Sequence, residues 1–323
     1  MRGAVYIVYM FLGLLGHVKA VWGMVLRYSL FIERSFGMNY IIITCVCNAE
    51  EWIARNIQSL KFQTARNFRC VIIDDLSTDA TVAIAVREIA GDARFTLIRN
   101  TEKKYCLRNT VEGVTAANPA VEDVILLVDG DDWLPHERVL ERLHKEYADP
   151  DCWMTYGSCA HIDAGGVRHP DCQPYPDDVL RIGRIRRHIW RGHPLRTFRY
   201  SLWQYIPQIE FAITQTEIDG AVRRALLTGS LRSWFNWRKV QARDLHESSG
   251  QYVRRATDKA MMFPLLELSG HHARFINEVL YIFHYSPRPL PYDRKDISGR
   301  WFPRLTREVL IHRPRRHQPL VKL

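Results

Sequence analysis

The chain has 323 residues, 47% of them apolar and 25% charged, a balance close to that of average soluble globular proteins. Collagen-like repeats, low-complexity disorder and a multi-span membrane protein are excluded, and the length suffices to bury a core without staples. The net charge of +10 is uneven: residues 181–323 carry 27 basic and 11 acidic side chains, whereas residues 39–180 carry 14 and 23. A basic later half suits an anionic partner (nucleic acid, anionic lipid or a phosphorylated substrate) or is simply an Arg-rich solvated surface.

Taken in chain order, residues 1–37 form a hydrophobic segment distinct from the rest of the chain. Its apolar stretch from Ala4 to Gly16 comes after Arg2 and ends near Val18-Lys19-Ala20. It is too short to span a bilayer, and extending it brings in His17, Lys19 and Arg27. Three readings stand: a segment outside the fold with Met38 as the working start, an interfacial helix giving peripheral membrane contact, and a signal peptide. The first is favoured, which places the protein in the cytoplasm, membrane-associated only through this segment.

Tyr40–Val46 is a near-continuous β-branched run, as expected of a strand covered on both faces. Asn48 reads as the N-cap of the next helix, with Glu50 and Glu51 in its first turn. Cys70–Asp74 is a second buried strand, succeeded by a helix from Thr81. Thr96–Arg99 is a short strand and Cys106–Ala117 a helix. Asp123–Asp129 is a further buried strand, and a helix runs from His136 to about Tyr147. This alternation predicts βαβ units and a parallel sheet.

Beyond Trp153–Tyr156 the pattern degrades. Residues 160–180 read as a loop, Thr197–Ile206 and Lys259–Leu268 as helices, and Glu278–Tyr285 as a strand. The Pro- and Arg-rich tail from 287 to 323 reads as peripheral. The seven cysteines are odd in number and show neither CxxC nor zinc-finger spacing, which indicates reduced thiols without a disulfide framework.

In parallel sheets, ligands gather outside the carboxyl ends of the strands. Two acidic clusters fall there: Asp74-Asp75 and Asp129-Gly130-Asp131-Asp132. Like charges this close need a cation between or beside them, and a hard divalent ion, Mn²⁺ or Mg²⁺, fits oxygen ligands best. The plain alternative is an Asp/Gly turn. The dinucleotide fingerprint, the P-loop and His-Glu-x-x-His are all missing from the sequence.

The runs IIITCVCNAEEWIARNIQSLKFQT, VIIDDLSTDAT, LRNTVEGV and LLVDGDDWLP together resemble the nucleotide-sugar-binding half of family 2 glycosyltransferases. That resemblance implies a GT-A-type, Rossmann-like α/β fold, with a mixed, mainly parallel sheet flanked by helices and a more helical C-terminal region. It implies a nucleotide-sugar-binding half over 38–150 and an acceptor-binding half over 151–286. It also implies inverting transfer from a nucleoside-diphosphate sugar, UDP-linked by preference, to a saccharide, glycolipid or protein acceptor.

By resemblance, Cys45, Asn48, Asp74, Asp75, Arg108, Asn109 and Asp129 serve the donor. Asp131, with Asp129, takes the metal, and Asp132 supports them. Asp258, in YVRRATDKAMMFPLLELSG, becomes the candidate base, with the helix N-cap as its plain alternative. Arg196, Arg199, Arg254 and Arg255 are candidate phosphate or acceptor contacts, or surface. Two departures stand out: Cys47 where an aromatic residue is usual, and Leu76 where Gly is common. Other classes stay open, namely a non-catalytic nucleotide- or nucleic-acid-binding protein and a metal-dependent nucleotidyltransferase. Against nucleic acid, Leu195, Phe198, Leu202 and Ile206 have the spacing of a packed helix.

Overall fold

A computed structural model describes residues 38–163, 165–284, 302–314 and 317–323. The chain divides into two units, Met1–Asn39 and Tyr40–Leu323, and the sheet and its helices belong to the second. The three readings of the N-terminal segment lie outside the described residues. No helix among the described residues is long and apolar enough to cross a membrane.

Strands β1 (Tyr40–Val46), β2 (Phe68–Asp74), β3 (Phe95–Arg99) and β4 (Val124–Leu127) alternate with helices α1 (Ile53–Lys61), α2 (Thr81–Ile89), α3 (Tyr105–Ala117) and α4 (Val139–Tyr147). These four strands are mutually parallel in the order β3-β2-β1-β4. β1 is completely covered over Tyr40–Ile42, as its unbroken apolar pattern requires. Then come β5 (Met154–Asp163), β6 (Gly166–Arg168), α5 (Asp177–Ile182), β7 (Arg196–Arg199), α6 (Tyr200–Trp203), α7 (Gln215–Leu227), α8 (Leu231–Trp237), α9 (Ala242–Leu245), α10 (Thr257–Ser269), β8 (Ala273–His284) and α11 (Phe302–His312). β7 joins antiparallel to β4, β5 antiparallel to β7, and β8 parallel to β5. One sheet therefore runs through both expected halves.

Three expectations need correction. Thr197 and Phe198, expected in a helix, form the centre of β7 and are fully buried between β4 and β5. Their apolar spacing matched a helix by coincidence, whereas Thr and Phe both suit a covered strand. The 160–180 segment continues β5 to Asp163 and contains β6 and α5. Within the expected peripheral tail, α11 buries Leu305, Val309 and Leu310 in the main core. Its Arg and Pro content masked an amphipathic pattern.

Asn48 is not a helix N-cap either. α1 begins after Trp52, and Asn48 takes a left-handed conformation, φ 52°. Its Oδ1 accepts from the Thr78 amide at 2.7 Å, while Ser77 Oγ accepts from the Asn48 amide at 2.9 Å. Asn tolerates this region of backbone space, so the residue ties the β1–α1 loop to the β2–α2 loop.

Candidate active site

Both acidic clusters emerge at the carboxyl edge of the parallel strands, but their surroundings differ. Asp75 comes directly after β2 and is buried. Its carboxylate accepts from the amides of Lys104 at 2.8 Å and Tyr105 at 3.0 Å and from Asn100 Nδ2 at 3.0 Å, and it pairs with Lys103 Nζ at 3.0 Å. Burial opposes ionisation, yet the Lys104 amide, the Lys103 ammonium and the Asn100 amide outweigh it and hold the carboxyl below its usual range. Asn109 joins this cradle, accepting from Asn100 at 2.7 Å. Asp74 is buried one residue earlier, and its side chain faces the Ser77 amide.

The second cluster is a tight turn continuing β4. The Gly130 amide donates to Cys45 O at 3.0 Å, which lays the turn against β1. A Cβ on Gly130 would sit 2.6 Å from Val46 Cβ and 3.2 Å from Cys45 O, so only glycine permits this approach. From α1, Asn56 Nδ2 donates to Asp129 O at 2.9 Å and Asp132 O at 2.8 Å. From β8, Tyr281 donates to Asp132 Oδ2 at 2.6 Å and its hydroxyl accepts from the Asp129 amide at 3.1 Å. Asp132 also accepts from the His284 amide at 2.7 Å.

Asp132 is thus spent on shaping the turn. Among the described residues, neither Asp129 nor Asp131 forms an ion pair or accepts a side-chain hydrogen bond. Burial, then the neighbouring Asp131, push Asp129 up to about 6, partly offset by Arg196. Asp131 is raised by burial too. An oxygen pair without an ion-pair partner among the described residues, held rigidly beside a cavity, suits a hard divalent cation.

Two adjoining cavities open on this pair. One, about 350 Å³, is lined by Cys47, Asp75, Lys103, Asn109, Asp131, Arg254 and Arg255 among others. The other, about 280 Å³, is lined by Leu127, Pro194, Arg196, Asp258, Met261 and Tyr281 among others. Cys45, Cys106, Asp129, Ala256 and Thr257 border both. Cys45 stays a thiol: its contact with Cys106 and its burial push it well up. Among the described residues, five non-glycine residues have positive φ; Tyr105 and Ala256 line the cavities, and Asn48 and Leu76 lie in the loops after β1 and β2. Such backbone persists where neighbours over-determine it, commonly at ligand sites.

Asp258 is the second residue of α10. The cap position belongs to Ala256, so the N-cap reading of Asp258 is corrected, and its one-third-exposed carboxylate faces the smaller cavity. Arg196 lines that cavity, anchored by Nε to Gly192 O at 2.9 Å. Arg254 and Arg255 line the larger one.

Two arginines are elsewhere. Arg108 reaches Glu247, Glu112 and Glu102 at 2.7 to 3.0 Å and lines neither cavity. Arg199 donates to the carbonyls of Cys152, Tyr147 and Asp149. Asn48 and Asp74 shape the loops without lining either cavity. In the Arg181–Arg199 stretch, Arg186 pairs with the buried Glu267 at 2.6 Å, and Phe198 and Leu202 are core residues. Arg186 and Phe198 therefore build the interior, whereas Arg181, Arg184 and Arg187 are exposed.

Sequence reasoning missed Asn56, Lys103, Tyr105, Thr110 and Tyr281. Asn56 left a trace: it is an amide on the apolar face of α1, one residue before Ile57, and it is completely buried. Tyr281, 152 residues from the turn it holds, left none.

Known proteins share this α/β sheet with paired carboxylates at its carboxyl edge. The fold is of the GT-A kind. It is similar to S. aureus TarS residues 1–349 in complex with UDP-GlcNAc, with TM-score 0.50 and 14% identity over 78% of this chain and 60% of that one. It is also similar to S. aureus TarS with TM-score 0.51 and 16% identity, over 77% and 37% of the two chains. In sequence it is 27% identical over 158 residues to the putative glycosyltransferase EpsH of Bacillus subtilis (strain 168), covering 46% of this chain and 44% of EpsH. The chain thus spans less than two thirds of the relatives it matches. The model of glycosyl transferase family 2 matches residues 41–208, and the chain belongs to that family.

Proposed function

We propose that the protein transfers a sugar from a nucleoside-diphosphate sugar to an acceptor hydroxyl with inversion at the anomeric carbon. The observation that carries this reading is the meeting of the two cavities at Asp129. The larger cavity offers Asp75, Lys103, Arg254 and Arg255 for a nucleotide and its diphosphate, and the smaller one offers a carboxylate, Asp258, for the acceptor. UDP is the preferred nucleotide, in keeping with the ligand of the similar TarS complex.

Asp131 and Asp129 would hold Mn²⁺ or Mg²⁺, which supplies Lewis-acid neutralisation of the departing diphosphate. Asp258 takes the proton of the acceptor hydroxyl as its oxygen attacks the anomeric carbon, and the bond to the diphosphate oxygen breaks on the opposite face. An ordinary carboxylate is a weak base, so alignment in the smaller cavity supplies much of the rate. The Arg196 guanidinium lines the same cavity and is placed to meet an anionic group of donor or acceptor. The acceptor is a saccharide, a glycolipid or a protein hydroxyl.

A panel of UDP-, GDP- and dTDP-sugars, incubated with and without Mn²⁺, tests the reading. Release of the nucleoside diphosphate is expected. Release of sugar 1-phosphate instead would make the protein a nucleotidyltransferase, and no turnover or binding of any donor would end the proposal. Asp258→Asn should bind donor normally and lose transfer; loss of donor binding would remove Asp258 from the role of base.

A further inference from the structure

The cysteines looked scattered in sequence, but the fold gathers two of them with a histidine. Cys159 lies on β5, Cys172 in the segment before α5, and His193 just before β7. Their donor atoms all lie within 4.8 Å of one another. Both thiols are buried, at 1% and 7% exposure, and His193 is half-buried. Among the described residues the His193 imidazole forms no hydrogen bond, although its backbone is tied at both ends: its amide donates to Arg191 O at 2.9 Å and its carbonyl accepts from Gly157 at 3.2 Å. The 13- and 21-residue separations match no zinc-finger spacing, which is why the sequence hid the cluster.

We propose that Cys159, Cys172 and His193 form a Zn²⁺ site, separate from the carboxylate pair and structural in purpose. Two thiolates and an imidazole are soft and borderline donors, which select zinc over the hard ions suited to Asp129 and Asp131. Tetrahedral zinc, with Zn–S about 2.3 Å and Zn–N about 2.0 Å, needs donors roughly 3.5–3.8 Å apart, so the ligands contract by about 1 Å at most. Three protein donors leave the fourth position to water. Binding displaces the two thiol protons, and the resulting Zn(Cys)₂ unit is neutral, which suits a place near Arg196.

The location gives the ion its work. Cys159 stands in register with Tyr281, the residue that holds Asp132 and the Asp129 amide. His193 directly precedes Pro194, and both Pro194 and Arg196 line the smaller cavity. Cys172 precedes Tyr175, whose hydroxyl accepts from the Arg191 amide at 3.0 Å. A zinc ion here ties β5 and the Cys172 segment to the His193–Arg196 segment that walls the smaller cavity, without touching donor or acceptor. Cys159, Cys172 and His193 are therefore positioning residues.

The full-length chain, purified under reducing conditions without chelator, should carry about one zinc by elemental mass spectrometry. After chelator stripping, Co²⁺ should restore one equivalent, with a thiolate-to-cobalt charge-transfer band and the intense visible bands of a tetrahedral ion. Cys159→Ser and Cys172→Ser should cut metal affinity roughly 10- to 100-fold or more, whereas Asp131→Asn should leave the band intact. If the cysteine variants fail to fold, the wild-type cobalt spectrum still decides, because only cysteine gives the charge-transfer band. In the loaded protein Cys159 and Cys172 should also resist alkylation while Cys47 reacts. A reduced wild type that takes up Co²⁺ without a thiolate band would overturn the proposal, as would a Cys159–Cys172 disulfide as the stable form. Because every readout is metal binding, failure here leaves the glycosyl-transfer reading untouched.

Discussion

Asp75 and Asp129 sit just beyond the ends of β2 and β4, the two strands that flank β1, yet the protein treats them oppositely. Asp75 is surrounded by donors and its carboxyl lies below the ordinary range, whereas among the described residues Asp129 has no cation paired with it and is pushed up to about 6. The difference teaches that the fold itself satisfies one carboxylate, even though it borders the larger cavity, and leaves the other, on the reading proposed above, for a cation. A buried anion already satisfied by amides contributes stability, and one without partners costs stability until a cation arrives.

The largest test of that contrast is Asp131→Asn. Without one of the two oxygen donors, metal-assisted turnover should fall about 1,000-fold, the equivalent of roughly 4 kcal/mol of transition-state stabilisation, with folding unchanged. Steady-state rates at saturating Mn²⁺ check this, and full activity would break the contrast.

Asp75→Ala should instead destabilise the fold by about 2–4 kcal/mol in urea titration, since it strands Lys103, Asn100 and two amides. Asp129→Asn, which removes a charge lacking partners, should make the metal-free chain more stable at neutral pH. If both variants lost stability alike, the two carboxylates would be doing the same work.

The Arg108 side chain offers a third separation of fold from site. Removing it leaves Glu247, whose side chain is completely covered, without its strong partner. Arg108→Ala should cost about 2 kcal/mol of stability while leaving the KM for donor unchanged. A raised KM would return Arg108 to the donor site.

Acid sharpens the comparison in opposite directions. Asp75, with a lowered pKa, adds stability at neutral pH that is lost as pH falls through that pKa. Asp129 has a folded pKa raised to about 6, so the metal-free fold binds its proton more tightly than the unfolded chain does. Its contribution therefore declines as pH rises from about 4, the unfolded value, towards 6. Metal needs the deprotonated form, so Mn²⁺ affinity should fall steadily below about pH 6, measurable by calorimetry. A pH-independent affinity between about 5 and 7 would contradict this.

The smallest effect concerns Leu76, whose φ of 62° is a backbone region that leucine rarely adopts. Leu76→Gly should relieve strain of about 1–2 kcal/mol, much of it offset by the freer unfolded chain. A net change in melting temperature of a few degrees or less is expected. Catalysis should survive, since the side chain lines neither cavity.

The legible parts were those encoded locally. β1, β2 and β4 announced themselves as unbroken apolar runs, and their acidic ends gave the carboxyl edge of the sheet. Asp258, singled out by resemblance, lines the smaller cavity. What stayed hidden depends on distant partners. Thr197 and Phe198 look helical until β4 and β5 close around them. Arg199 has its partners some fifty residues away, and Arg108 pairs with the distant Glu247 as well as with its neighbours Glu102 and Glu112. The hydrogen bonds of Tyr281 and Asn56, and the meeting of Cys159, Cys172 and His193, exist only after folding.

The function proposed for this protein rests on Asp129 and Asp131 gripping one divalent ion together with the donor diphosphate. Calorimetric titration of Mn²⁺ into the intact chain at about pH 7.5, with and without UDP, tests that grip most directly. One equivalent should bind, more tightly with UDP present, and Asp131→Asn should abolish both the binding and the UDP effect. Unchanged Mn²⁺ uptake by that variant, or affinity indifferent to UDP, would contradict it.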